Sequence, residues 1–123
     1  MSNITYYTKD HEWLKIEGNV GYVGITSFAQ NELGDIIFVE FPDINDEFSN
    51  GEVFGTIEAV KTVADLYMPI DSKIIEINND VEDNPELVND SPEENGWLVK
   101  VELNNLDDLK NLLSKDDYEK HIK

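Results

Sequence analysis

The chain has 123 residues, 40% of them hydrophobic, with 27 acidic side chains against nine basic ones, for a formal charge of −18. That is enough apolar material for one core without staples, and the lack of cysteine excludes disulfides, thiolate catalysis and cysteine-based zinc sites. Every base is a lysine, and such an acidic surface is repelled by phosphate backbones and anionic bilayers, so neither nucleic acid nor membrane is expected as a partner.

From the N-terminus, "MSNITYYTKDHEW" has neither the apolar core of a signal peptide nor an Arg-rich transit pattern. No apolar run is long enough to span a bilayer. The chain therefore reads as cytoplasmic, monomeric and one domain, with a β core over about residues 11–103 and a helical segment over about 105–122. "EWLKIEG" alternates apolar and polar residues and turns at Gly18-Asn19 into "VGYVGI", a hairpin signature. In "TSFAQNELG" the period changes: Phe28, Ala29 and Leu33 share a helical face, with Thr26 or Ser27 as cap and Gly34 as stop. "DIIFVEF" is a strand ended by Pro42, and "PDINDEFSNGE" reads as a polar loop with its turn at Ser49-Asn50-Gly51.

"VFGTIEA" and "TVADLYM" flank Lys61 as a second hairpin, and "SKIIEIN" is the strand after Pro69. "NPELVND" suits a short helix with Pro85 at its first position, and "GWLVKVEL" is a last strand. In the tail, Leu106, Leu109, Leu112 and Leu113 form a helical stripe that reads as core packing, and Ser114 with Asp117 starts a further short helix. "DIIFVEFPDIND" and "SKIIEINNDVED" echo each other on either side of Lys61. Two β halves meeting at that turn predict a mostly β fold, a flattened barrel or sandwich with short helices and a lysine at one tip.

A turn lysine ordinarily points into water and adds only solubility. A catalytic lysine needs a desolvated pocket or neighbouring cations to bring its pKa down, whereas Glu58 and Asp65 nearby favour the charged form. Schiff-base or general-base chemistry is therefore disfavoured, and the lysine is better placed to be itself a substrate. Presented on a β-turn among Ala59, Val60, Thr62 and Val63, it can be gripped and acylated. Its stem then becomes part of a tether that raises the local concentration of the attached group.

Four blocks carry a resemblance to a known family: "HEWLKIEGNVGYVGIT", "FAQNELGDIIFVEFP", "FGTIEAVKTVADLYMPI" and "EDNPELVNDSPEENGWLVKV". In content and order they resemble the H proteins of the glycine cleavage system, over nearly the whole chain. The resemblance implies a barrel-sandwich hybrid of the lipoyl/biotinyl-domain kind, with lipoic acid attached covalently to Lys61 and Glu58 aiding recognition by the lipoate-attaching enzyme. It implies a carrier, not an enzyme, that takes the aminomethyl group of glycine from a decarboxylase (P protein) to an aminomethyltransferase (T protein). The reduced arm is then presented to dihydrolipoyl dehydrogenase (L protein). It also implies that Glu12 and Asp65 hold the cargo's amine, with Asp10, where the family often has Ser, as a further candidate. Pairing that nitrogen as ammonium protects it, because a free lone pair would expel the thiolate.

Three departures from the family pattern stand out. Ser72 replaces a glycine tied to lipoylation; if that turn needs positive φ, Ser costs about 1 kcal/mol or more relative to Gly. Met68 replaces a small residue before Pro69 and enlarges an apolar contact near the hairpin, and Glu93 replaces an aromatic residue. Trp13 and Trp97 read as core or edge anchors, and His11 beside Glu12 makes no metal site. The alternatives are an H-like lipoyl carrier in lipoate relay or redox-linked protein modification, a biotin carrier (disfavoured because Val60 and Thr62, not methionines, flank the lysine), and an unmodified acidic binding module.

Overall fold

The computed structural model describes residues 4–104 and 106–122. The N-terminal half opens with β1 (Ile4–Tyr7), β2 (Glu12–Glu17) and β3 (Val20–Ile25), which pair in sequence as an antiparallel meander. Gly18-Asn19 forms the two-residue turn between β2 and β3, with Gly18 at φ 67, as the sequence indicates. Thr26 then caps α1 (Ser27–Leu33) by accepting from the Ala29 N–H, and Gly34 ends it at φ 85. These local signals were readable because each satisfies an orphan backbone group or a conformation only glycine adopts easily.

The remaining strands are β4 (Ile36–Glu40), β5 (Glu47–Phe48), β6 (Val53–Ala59), β7 (Val63–Tyr67), β8 (Ser72–Ile77) and β9 (Val99–Leu103). Two sheets result, with orders β1-β2-β3-β9-β8-β5 and β4-β6-β7. Together they make the expected mostly β sandwich, and the apolar residues of both converge on one core that includes Leu14, Val23, Ile57, Leu66, Ile74 and Val101. On β2, period-two alternation sends Glu12, Leu14 and Ile16 to one side and Trp13 to the other. Trp13 joins Tyr7 and Tyr118 in a second cluster beneath the C-terminal helix.

Several expectations are corrected. The sheet begins at Ile4, because β1 pairs with β2 along its whole length. The loop after Pro42 is not wholly irregular: Glu47–Phe48 pairs with β8 as β5. A helix α2 (Asn79–Asp83), capped by the Asn78 side chain, precedes α3 (Glu86–Asp90), and Pro85 sits just before α3. The leucine stripe is a 3-10 helix over Leu106–Asn111; Asn105, the expected start of the helical segment, lies outside the described residues. Leu109 and Leu112 pack on the main core and Leu113 on the second cluster, while Leu106 stays exposed. Ser114 does cap the last helix, α4 (Lys115–His121), by accepting from the Asp117 N–H.

Candidate functional site: a hairpin tip and a buried carboxyl

β6 and β7 form a hairpin whose turn is Val60-Lys61-Thr62. The Ala59 N–H donates to the Thr62 carbonyl across the bend at 2.8 Å. The Val60 N–H donates to the Asp35 carbonyl at 3.2 Å, which ties the tip to the start of β4. Ile57, Ala59 and Leu66 point into the core and anchor the strands. Gly55 lets β4 and β6 approach closely, since a Cβ there would overlap the Glu40 carbonyl. Lys61 therefore stands exposed on a braced turn.

Register places two rows of side chains on the outer face of this sheet. Phe38, Glu58 and Val63 form the row nearer the tip, and Glu40, Thr56 and Asp65 the next. Glu58 and Asp65 are thus on one face, both exposed, on either side of the lysine along the chain.

Glu12 is a different kind of carboxyl. It is 2% exposed, at the start of β2, and reaches across to the other sheet. One carboxyl oxygen accepts from the Tyr67 N–H at 3.1 Å and the other from the Thr8 hydroxyl at 2.9 Å. The Thr8 hydroxyl in turn accepts from the N–H groups of Asp10 and Glu12, which fills its bonding capacity and fixes the turn. Burial pushes the Glu12 carboxyl up to about 8, against the pull of the Tyr67 and Thr8 hydrogen bonds and with a smaller push from the Asp10 charge. So raised, this group is mostly protonated at neutral pH. It faces a cleft of about 310 Å³ whose lining includes Asp10, Lys9, Tyr67 and Met68.

Of the residues singled out in the sequence, Glu58, Lys61 and Asp65 share the hairpin, whereas Glu12 and Asp10 share the cleft. Asp65 does not line the cleft; it lies between the two, four residues from Lys61 and two from Tyr67. Six residues of strand separate Lys61 from Tyr67, about 20 Å at the usual rise. Thr8 and the Tyr67 backbone escaped sequence reasoning, since nothing in "YTKD" marks a hydroxyl that organises a carboxyl.

A further unforeseen feature lies behind Glu12. His11 adopts φ 70, and its Nδ1 is 2.8 Å from the Tyr118 hydroxyl, which is also 2.7 Å from the Thr26 hydroxyl. Tyr118 stacks on Tyr7 with ring centroids 4.9 Å apart, so α4 is fastened to the turn that carries Glu12. Burial holds the His11 imidazole below its ordinary pKa, with His121 adding to the shift.

The three departures are settled by their surroundings. Ser72 is not at positive φ; it is fully buried within β8, and its hydroxyl donates to the Ile70 carbonyl at 3.0 Å. The expected backbone strain is therefore absent. Met68 is buried in the main core and also lines the Glu12 cleft. Glu93 accepts from the Ser27 N–H at 2.7 Å, a charged acceptor for the first turn of α1. Trp13 is a core anchor whose indole N–H donates to the Ile25 and Pro92 carbonyls, and Trp97 packs edge-on to Tyr22.

Two antiparallel sheets presenting one exposed lysine at a hairpin tip define a β domain of the carrier type. The family model of the glycine cleavage H-protein matches residues 5–123. A glycine cleavage system H protein of Staphylococcus epidermidis (strain ATCC 12228 / FDA PCI 1200) is 55% identical over 116 residues, covering 94% of this chain and 92% of the relative. One of Staphylococcus haemolyticus (strain JCSC1435) is 53% identical over the same shares. The crystal structure of a glycine cleavage system H protein from Mycobacterium marinum superposes with a TM-score of 0.89 at 34% identity, covering 99% of this chain and 98% of that one. The chain belongs to the glycine cleavage H-protein family, whose members are lipoyl carriers of the glycine cleavage system.

Proposed function

We propose that this protein carries lipoyl on Lys61 and serves as a mobile substrate of the P, T and L proteins of glycine cleavage. The observation that carries the reading is the position of Lys61, exposed at a turn closed by the Ala59–Thr62 hydrogen bond and braced through Val60 to Asp35. The residues fit the group: acylation needs an accessible amine on a backbone stiff enough to be gripped, and both are present. When bound, lipoyl supplies a disulfide that accepts the aminomethyl group and a dithiol that is later reoxidised.

The chain's own residues would do the rest. Glu58, on the tip row, gives the attaching enzyme a fixed charge beside the lysine. Glu12 supplies a dry carboxyl along the edge of β7, with Asp10 at the mouth of its cleft and Asp65 on the path from the tip. A carried ammonium arriving at Glu12 would convert the carboxyl to its charged form, and exclusion of water strengthens the pair. The part of the protein is to hold and shield the amine; bond-making belongs to its partners.

Intact mass of the protein from its native cell tests the reading. A lipoyl-sized increment that disappears in Lys61→Ala is expected, and a native chain without it would overturn the assignment. Glu12→Gln combined with Asp65→Asn should shorten the lifetime of the loaded carrier; an unchanged lifetime would remove those two residues from the role.

A further inference from the structure

β4 breaks the alternation that a half-buried strand should show. Its burial runs in, out, out, in, out from Ile36 to Glu40, because one extra residue is inserted between the pairs Ile36–Ala59 and Phe38–Glu58. Such a bulge reverses the phase of a strand, and here it turns two large apolar side chains outward in succession. Ile37 is 50% exposed and Phe38 54%. Val60 and Val63 at the tip are exposed by 67% and 61%. Phe38 and Val63 flank Glu58 in one cross-strand row, so these four apolar residues lie together beside Lys61.

The rim of this patch is acidic. Asp35, Glu40 and Asp65 are exposed around it, Glu58 is exposed within its cross-strand row, and the cation at its tip is Lys61. A complementary partner has an apolar patch bordered by basic side chains.

We propose that the outer face of the β4–β6–β7 sheet, centred on Ile37, Phe38, Val60 and Val63, is the docking surface for the enzyme that acylates Lys61. This rests on Lys61 being the attachment point and adds where the enzyme grips. In the acylation the neutral Nζ attacks the carbonyl carbon of an activated lipoyl donor, a mixed anhydride or thioester. The amide C–N bond forms, the activating group departs with the bonding electrons, and the nitrogen's proton passes to solvent.

Geometry favours this enzyme over those that act on the distal end of an attached arm. The lysine has only a four-carbon stem, and the reacting atoms must come within about 3–3.5 Å of each other. The acylating enzyme must therefore touch the tip itself. Three strands at about 4.8 Å spacing put Phe38 about 10 Å from Val63, well inside a footprint of about 800 Å². An enzyme that works at the far end of the arm can stand clear of this row.

The test compares acylation of the unmodified protein by its lipoate-attaching enzyme, with lipoate and ATP, followed by intact mass. Ile37→Thr/Phe38→Thr keeps strand-forming residues while removing the β4 half of the apolar patch. A loss of at least tenfold in kcat/KM, mostly through KM, is expected, together with a KM for the wild type that rises with salt. Ile44→Ser, an exposed apolar residue beyond the other end of β4, should behave as wild type. Thermal melting of every variant separates docking from folding, and the single Phe38→Thr substitution retains the test if the double variant melts early. Acylation of a folded double variant within twofold of wild type would overturn the docking surface while leaving Lys61 as the attachment point. A wild type left unmodified would overturn both.

Discussion

The carboxyl of Glu12 and the N–H of Tyr67 meet at 3.1 Å, and through that bond β2 of the larger sheet holds the edge strand β7 of the smaller one. The bond ties the hairpin that ends in Lys61 to the body of the sandwich. It also buries an ionisable group with Thr8 as its only other hydrogen-bonding side chain among the described residues. Stability should therefore depend on pH in an uncommon direction. Burial pushes the folded Glu12 carboxyl up to about 8, from an ordinary value of 4.5. Between those values the folded protein retains a proton that the unfolded chain has lost, so stability is fully present below about pH 4.5 and falls as pH rises through 8. The full loss is on the order of 5 kcal/mol, at about 1.4 kcal/mol per pKa unit. Urea midpoints at pH 5 and pH 8 should show a larger fall for the wild type than for Glu12→Gln, which cannot ionise. Equal falls in the two proteins would show that the carboxyl is not held neutral.

Gly55 is expected to tolerate no side chain. A Cβ would overlap the Glu40 carbonyl, which is backbone and cannot swing aside. Gly55→Ala should push β4 from β6 at the end of the sheet away from Lys61 and destabilise by about 1–3 kcal/mol, the range for overpacking. The check is a urea melt, paired with amide hydrogen exchange at Ile57 and Ala59. Exchange there should rise more than in β3, where no contact changes.

Tyr118→Phe should loosen α4. The substitution keeps the ring stacked on Tyr7 and removes only the hydroxyl shared by His11 and Thr26. Each lost hydrogen bond is worth about 0.5–1.5 kcal/mol. The expected loss is about 1–2 kcal/mol, a fall in Tm of about 4–8 °C for a domain of this size. His11 contributes with the opposite sign to Glu12: its lowered pKa gives stability that is present above the unfolded value and lost as pH falls. Acid should therefore destabilise the wild type at this contact, and differential scanning calorimetry at two pH values resolves both effects.

What the sequence disclosed follows from how local the determinants are. The Gly18-Asn19 turn, the Thr26 and Ser114 caps and the hairpin around Lys61 are each specified within a few residues, and each stands where its signal lies. The strand β5 is only Glu47-Phe48, too short for any periodicity, and exists because β8 offers it an edge. The bulge after Ile36 is invisible in "DIIFVEF", where two successive isoleucines fit a buried strand as well as a bulged one. Nothing in "KDHEWLK" marks Glu12 as buried, and the backbone N–H that holds its carboxyl comes from Tyr67, 55 residues away. The hairpin tip that presents Lys61 was thus legible, whereas the cleft and the face around it are products of long-range register.

Ser72 offers the sharpest test of reading a departure from family pattern without its surroundings. The pattern suggested a backbone strained by the loss of glycine, in which case Ser72→Gly would relieve strain and stabilise. The structure argues the reverse. Ser72 pairs with Phe48 on one side and Leu103 on the other, inside β8, with its hydroxyl bonded to the Ile70 carbonyl and no exposed surface. Glycine there would lose that hydrogen bond and add about 0.5–1 kcal/mol of backbone entropy cost. Ser72→Gly should therefore destabilise by about 1–2 kcal/mol, seen as a lower urea midpoint with an unchanged m-value. A stabilised variant would show instead that the serine strains the chain between Pro69 and β8.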